Sequence, residues 1–168
     1  MKKLIYLFVI FLLFGCGKGA YPGKVDIYLL KSHSQFTTGT AYPYITAITN
    51  AVLSDTILVK SEQIVSYDST THVFTTKKGA LNSLKNFGSN RAFAVTVNKE
   101  IVYCGQFRPG YLSSIVTGIA SINPAFSEGT EKLGIQYVSV AGSAVIAQLD
   151  KRNDIRITGL LKQQGRLK

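Results

Sequence analysis

The sequence predicts an α+β domain in which one main helix packs on a mostly antiparallel sheet. Short runs with alternating apolar and polar residues, typical of strands, recur between residues 24 and 161. The strongest strand signal, at residues 92–104, has the form of a hairpin. Helical spacing of apolar residues is clear only at Leu81, Leu84 and Phe87. Many strands with one clear helix between them indicate the α+β class.

The first half of the chain is predicted to form mainly strands. Residues 24–32 alternate and form the first strand. The pattern then weakens, and Pro43 is unfavourable in a central strand because it has no N–H to donate. Residues 45–53 are compatible with either a strand or a helix. Residues 65–68 and 71–76 are predicted as two short strands on either side of a turn.

The second half contains the predicted helix, at residues 78–88, with Gly88 at the position of a C-terminal cap. The strands of the hairpin, at residues 92–97 and 101–104, flank a polar turn that begins at Asn98. Residues 123–130 are predicted to form a loop. The remaining predicted strands lie at residues 114–121, 133–140, 143–149 and 154–161.

Alternation along the first strand of this hairpin also predicts which side chains meet the helix. One face should carry Phe93, Val95 and Val97 toward the three apolar helix residues. Ala94 and Thr96 should then face away from the helix.

The N-terminus has the features of an export signal. Lys2 and Lys3 precede an apolar run, residues 4–14, which is too short for a permanent membrane span and fits a cleavable signal. Residues 13–16 (LFGC) resemble the lipobox of bacterial lipoproteins. The resemblance implies that residues 1–15 are removed and that Cys16 carries a covalent lipid. An uncleaved anchor and an ordinary secretory signal are the alternatives.

The mature chain would then consist of a lipidated tether, residues 16–23, and a single domain, residues 24–168. Gly17 follows the lipidated cysteine, and no Asp stands there. By resemblance to lipoproteins of double-membrane bacteria, this implies an outer-membrane protein that faces the periplasm.

The charge of the chain gives limited information about partners. The net charge of +10 falls to +8 without Lys2 and Lys3, and the basic residues form no long run. We therefore expect the membrane as a partner, through the lipid anchor, and no nucleic acid. The positive charge is compatible with weak attraction to anionic lipid headgroups or acidic glycans, or simply with solubility.

Residues 53–118 resemble the periplasmic head subdomain of SecD, an accessory subunit of bacterial protein export. The matching features are residues 62–64 leading into a strand, a helix at residues 80–87 and the hairpin at residues 93–103, with Asn98-Lys99 in place of the usual Asp-Gly. In that family the head is thought to contact passenger polypeptide. The resemblance thus implies a binding module, although fold alone does not establish function.

The sequence contains no pattern of catalytic or metal-binding residues. His33 and His72 are far apart and lack the spacing of metal ligands. A serine nucleophile at Ser113 or Ser114 could meet His72 only in the folded chain. We expect no cofactor other than the covalent lipid at Cys16. Cys104 has no partner once Cys16 is lipidated, and its strand context favours an inert core thiol over a reactive one.

Aromatic residues next to loops are the candidates for a contact surface. They are Phe107, Arg108 and Tyr111 after the hairpin, together with Tyr42 and Tyr44 around Pro43. The sequence therefore favours a non-catalytic envelope module that binds a protein or a polysaccharide through a sheet edge or these aromatic loops. The alternative is a small periplasmic hydrolase whose active residues meet only in the fold.

Overall fold

The computed structural model describes residues 22–38, 45–84, 87–112, 116–127, 129–138 and 144–168. Strands account for 48% of the structure and helices for 16%. Within the described residues, a single helix reaches seven residues or more. The prediction of an α+β domain with a main helix packed on the sheet is therefore wrong, and the fold is predominantly β.

The strands form two sheets. The described strands are β1 (Val25–Thr38), β2 (Ile45–Val59), β3 (Ile64–Asp68), β4 (Val73–Thr76), β5 (Ala92–Val97), β6 (Glu100–Phe107), β7 (Ala120–Ile122), β8 (Lys132–Gly134) and β9 (Gln136–Tyr137). The six-stranded sheet has the order β2-β1-β5-β6-β7-β9, and the three-stranded sheet has the order β3-β4-β8. All neighbouring strands are antiparallel except β6 and β7, which are parallel.

The ambiguous residues 45–53 belong to β2, which forms a long ribbon with β1. Several register shifts interrupt this ribbon, and such irregularities let a strand pair bend. At the start of β2, the Thr46 N–H donates to the Thr117 carbonyl (3.0 Å). The apolar side chains Ile48, Ala51 and Leu53 of β2 pack on a small cluster formed by Leu30, Ala92 and Ala94. The ribbon therefore folds back over one face of the larger sheet.

The outer edge of β3 is paired with residues 166–168. The Tyr67 N–H donates to the Arg166 carbonyl, and the Lys168 N–H donates to the Tyr67 carbonyl, both at 2.8 Å. The Arg166 guanidinium also donates to the carbonyls of Ser61 (2.7 Å) and Ile64 (3.0 Å). Residues 166–168 thus continue the smaller sheet by one short strand-like segment.

The predicted hairpin is confirmed as β5 and β6. Asn98 and Lys99, with φ of 53° and 69°, occupy the turn between the two strands. Positive φ at both central residues is the conformation that matches the right-handed twist of a two-residue hairpin. Asn tolerates this region well, which explains why the chain needs no glycine here.

The helix predicted at residues 78–88 is wrong. The described part of this segment consists of successive turns, with hydrogen bonds such as Leu84 N–H to the Leu81 carbonyl (3.0 Å). Gly79 has a φ of +81°, which an α-helix cannot contain. Leu81 and Leu84 are nonetheless buried in the core. Among residues 78–84, burial produced the apolar spacing without an α-helix. Turns that lead into a 3-10 conformation at Leu84 stand there in place of the helical element of the SecD resemblance.

The strands predicted near the C-terminus are wrong as well. The described residues of this half include three α-helices, which are α1 (Pro124–Ser127), α2 (Ala144–Leu149) and α3 (Ile155–Gln163). The Asp154 side chain caps α3 by accepting from the Arg156 N–H (3.0 Å), and Ile157 and Leu161, four residues apart, are its buried residues. The predicted loop at residues 123–130 contains α1.

The other predicted strands are shorter than expected. The strand predicted at residues 133–140 is divided between β8 and β9, which belong to different sheets. Of the strand predicted at residues 114–121, the structure contains β7. Residues 114–115 of that prediction and residues 139–140 of the preceding one lie outside the described residues.

The predicted division of side chains along β5 is confirmed. Phe93 and Val95 belong to the main core cluster together with Leu81 and Leu84, and Ala94 belongs to the second cluster on the opposite face. Thr96 also faces away from the main cluster but is fully buried, and its hydroxyl donates to the Asp26 carbonyl (3.1 Å).

Candidate functional site

The segment predicted to form a contact surface begins with a core residue. Phe107, the last residue of β6, is fully buried. Its ring lies 5.0 Å from the ring of Phe87 and 5.7 Å from that of Phe93, between centroids. The prediction that Phe107 contributes to an exposed surface is therefore wrong, because β6 continues to this residue and directs its side chain inward.

Two other aromatic side chains are strongly exposed at this end of the sheet. Tyr111 is 80% exposed in the loop after β6, and Phe126 is 70% exposed on α1. We call Tyr111 and Phe126 the aromatic patch. Arg108, from the same predicted surface, is half-buried at the base of the Tyr111 loop.

The backbone under the aromatic patch is fixed by contacts between the two segments. The Arg108 N–H donates to the Ile122 carbonyl (2.8 Å), which ties the loop to the end of β7. Gly110 lies against Asn123 so closely that a Cβ at residue 110 would be 3.0 Å from the Asn123 Nδ2 atom. The Asn123 side-chain oxygen in turn accepts from the Ala125 N–H (3.1 Å) at the start of α1. Both aromatic side chains are therefore displayed from a supported backbone.

Sequence reasoning identified Tyr111 but missed Phe126. The signal for Phe126 was an aromatic residue in the polar segment at residues 123–130, which is unusual for a solvated loop. Tyr42, Tyr44 and Cys16 lie outside the described residues.

His72 belongs to a hydrogen-bonded cluster centred on Tyr67. The Tyr67 hydroxyl lies 3.2 Å from His72 Nδ1, 3.0 Å from the Arg152 carbonyl oxygen and 3.3 Å from the Asn153 side-chain oxygen. Burial lowers the pKa of His72, and the nearby Arg152 lowers it further, while Asp150 opposes both. Burial also raises the pKa of Tyr67. At neutral pH both side chains are therefore uncharged and act as hydrogen-bonding groups.

The carboxylate nearest this cluster is held by an arginine. Arg152 donates to both oxygens of Asp150, at 2.9 and 2.7 Å, and to the Ile135 carbonyl (2.8 Å). The guanidinium carbon also lies 5.5 Å from the centre of the Tyr137 ring. Hydrogen bonds from Arg152 lower the pKa of Asp150 against the opposing effect of burial. This bidentate pair fixes the connection between α2 and α3 on the sheet.

Sequence reasoning could not find this cluster. Tyr67 and Arg152 are 85 residues apart, and no local motif relates them. The hydrolase alternative required His72 beside a serine or a carboxylate. In the structure the ring of His72 bonds with the hydroxyl of Tyr67 and the side chain of Asn153, and Ser113 and Ser114 lie outside the described residues.

Cys104 lines an apolar cleft of about 350 Å³ between the start of β2, β6 and the segment before β7. The side chain is half-buried, and burial raises the pKa of its thiol to about 11. A thiol with that pKa is almost fully protonated at neutral pH and is a poor nucleophile. These properties favour the prediction of an inert thiol.

A second groove, of about 510 Å³, lies where the chain enters β1. Its lining combines Tyr28 and Ile57 with charged and polar residues, which are Lys24, Lys60, Lys99, Asp26, Glu62 and Asn98. We call it the lysine groove. Within the described ranges, no group of three or more His, Cys, Asp or Glu side chains could hold a metal ion.

Comparisons of the chain with protein-family models, with curated proteins and with solved structures find no match. In the part of the chain that the structure describes, no helix has the length and apolar character needed to cross a membrane.

Proposed function

We propose that this chain is a lipid-anchored, exported protein that binds a protein partner of the bacterial envelope through the aromatic patch. The anchor would be the lipid on Cys16, and the protein would face the periplasm from the outer membrane. This proposal has two parts, the anchor and the contact surface, and they are tested separately.

The N-terminal sequence supports the anchor. A short positive segment, an apolar run and a lipobox-like LFGC occur in the order that lipoprotein signals require. Two or three acyl chains bury enough methylene groups for stable anchoring, whereas one chain holds a protein only marginally.

The main support for a binding function is that Tyr111 and Phe126 are exposed on a backbone that hydrogen bonds hold in place. Tyr111 and Phe126 expose large aromatic surface on two segments that are bonded to each other, and monomeric domains usually keep such exposed apolar patches small unless they serve a contact. Tyrosine and arginine are enriched among the residues that dominate the energy of protein interfaces. A fixed backbone lowers the entropy that must be lost when a partner binds.

A protein partner is favoured over a polysaccharide by the resemblance of residues 53–118 to the SecD head, in which the equivalent region is thought to contact polypeptide. The hairpin of that resemblance is present as β5 and β6, and Tyr111 lies in the loop that follows it. This support rests on the similarity between the two sequence patterns.

The anchor is tested by replacing Cys16 with Ser and labelling cells with a clickable fatty acid. We expect label and membrane association in the wild type and neither in Cys16→Ser, because the thioether requires the sulfur atom. Label retained by the variant would contradict lipidation at this residue. Digestion by protease added to intact cells would contradict the periplasmic orientation.

The contact surface is tested by affinity capture from envelope extract with the lipidated protein. The double variant Tyr111→Ala/Phe126→Ala should lower capture of the partner by about tenfold or more, as expected when two central interface residues are truncated. Phe36→Ala is the matched control, because Phe36 is an exposed aromatic (45%) on β1, away from the patch. Equal capture by wild type and double variant would refute the role of the patch, and capture of a glycan would refute the protein partner.

A further inference from the structure

We propose that the lysine groove docks the domain on anionic phospholipid headgroups of the membrane that carries its own anchor. This inference rests on the proposed lipidation of Cys16. The surface that the groove would bind is a layer of phosphodiester groups, close to the point where the tether enters the fold.

The three lysines come from different parts of the chain and meet at this groove. Lys24 directly precedes β1, Lys60 follows β2, and Lys99 lies in the turn between β5 and β6. Lys24 is tied to the hairpin turn by two hydrogen bonds with Asn98. The Lys24 N–H donates to the Asn98 side chain, and the Asn98 N–H donates to the Lys24 carbonyl, both at 2.9 Å. The relative positions of Lys24 and Lys99 are therefore set by the backbone.

These three lysines are available to an external anion. In the described ranges the ion pairs are those of Arg152 with Asp150 and of Arg156 with Asp154, so the lysines of the groove have no ion-pair partner there. All three lysines are exposed.

Of the two carboxylates in the groove, one is directed into the fold. Asp26 is 5% exposed, and its carboxylate accepts from the Ser61 N–H (2.7 Å). Glu62 is exposed and is the acidic group that would oppose an approaching anionic surface. Removing this charge in Glu62→Gln should therefore strengthen docking.

The anchor brings the groove within reach of the headgroups. Seven residues separate Cys16 from Lys24, and the eight Cα–Cα steps between them span at most about 29 Å when fully extended. Because the tether holds the domain at the surface, docking is an intramolecular step with a high effective concentration. Each lysine close to an anionic surface strengthens the attraction by about fivefold, so three lysines, opposed by Glu62, still favour one orientation of an already anchored domain.

The test is lysine footprinting of the lipidated protein reconstituted in vesicles. An amine-reactive acetylating reagent is applied in vesicles of phosphatidylglycerol with phosphatidylcholine and in vesicles of phosphatidylcholine alone, and acetylation is read by mass spectrometry. Lys24, Lys60 and Lys99 should react about fivefold more slowly in the anionic vesicles. The protection should disappear in about 1 M salt, where the screening length is about 3 Å. Lys151, exposed beside the apolar cleft that Cys104 lines, should react equally in both.

Two variants sharpen the result. Lys99→Asn places a residue that suits the positive φ of the turn and should weaken the protection of Lys24 and Lys60, whereas the control Lys151→Asn should not. Glu62→Gln should increase the protection. Lipidated protein with equal acetylation in both vesicles would overturn the docking and leave the anchor intact. Protein whose Cys16 carries no lipid by mass spectrometry would overturn both.

Discussion

Leu84→Ala tests whether the turns at residues 78–84 cover the larger sheet. Leu84 is 1% exposed and lies in the same core cluster as Phe93 and Val95, although residues 78–83 before it form turns and not an α-helix. Truncation of a fully buried leucine costs about 3 kcal/mol or more, because the transfer free energy of the removed carbons is lost and a cavity remains. For a domain of this size, each kcal/mol lowers the melting temperature by roughly 2–4 °C, so we expect a decrease of about 6–12 °C.

The matched control for this variant is Leu149→Ala. Leu149 is 43% exposed on α2, and the same chemical change there should lower the melting temperature by about 2 °C or less. Thermal unfolding followed by circular dichroism gives both values. Similar small decreases for the two variants would refute the packing of the turns on the sheet. Thr96→Ala is expected to fall between them, because it removes a buried hydrogen bond worth about 1 kcal/mol.

Three further predictions concern a close approach, a titrating side chain and a thiol. Gly105→Ala should lower the urea midpoint substantially, because its Cβ would lie 2.3 Å from Phe93 Cζ and 2.5 Å from the Ala120 carbonyl oxygen; an unchanged midpoint would show that β6 and β7 can separate at little cost. The folded pKa of His72 lies below its unfolded value, so the unfolded chain binds more protons between the two values. The free energy of unfolding should therefore fall as the pH drops below about 6.5, and His72→Asn should flatten that dependence; equal slopes would contradict the lowered pKa. Cys104, with a pKa of about 11, has only about a thousandth of its thiol ionised at pH 8, so iodoacetamide should label it slowly in the native protein and rapidly in urea; fast native labelling would contradict its burial.

Local patterns in the sequence predicted the elements that local chemistry determines. The hairpin of β5 and β6 follows from alternation on both sides of Asn98, a residue that accepts positive φ. The face of β5 that meets the core follows from the two-residue period of a strand. The short strands β3 and β4 follow in the same way from a turn signal, and the Asp68 side chain confirms it by accepting from the N–H groups of Thr70 and Thr71 (2.8 and 3.0 Å).

The errors arose where burial and secondary structure give the same pattern of apolar residues. Leu81 and Leu84 are spaced as on a helix, but Gly79 with positive φ shows that turns supply the same buried positions. The apolar residues at 155, 157 and 161 fit the alternation of a strand, but on α3 only Ile157 and Leu161 are buried, whereas Ile155 is 78% exposed. The capping Asp154 was the signal that decides between a strand and a helix. Phe107 was assigned to a loop because the end of β6 was placed too early, which is the usual weakness of boundaries read from patterns.

The pairing of residues 166–168 with β3 has a practical consequence for how the protein is handled. These residues occupy an edge of the smaller sheet that would otherwise present unpaired N–H and C=O groups, beside the half-exposed Val65. Proteolytic clipping before Arg166 would uncover that edge and also remove the guanidinium that bonds the Ser61 and Ile64 carbonyls. Clipped material is expected to associate edge to edge and to precipitate during purification, so an affinity tag is better inserted at the exposed, sterically open Gly129 than appended after Lys168.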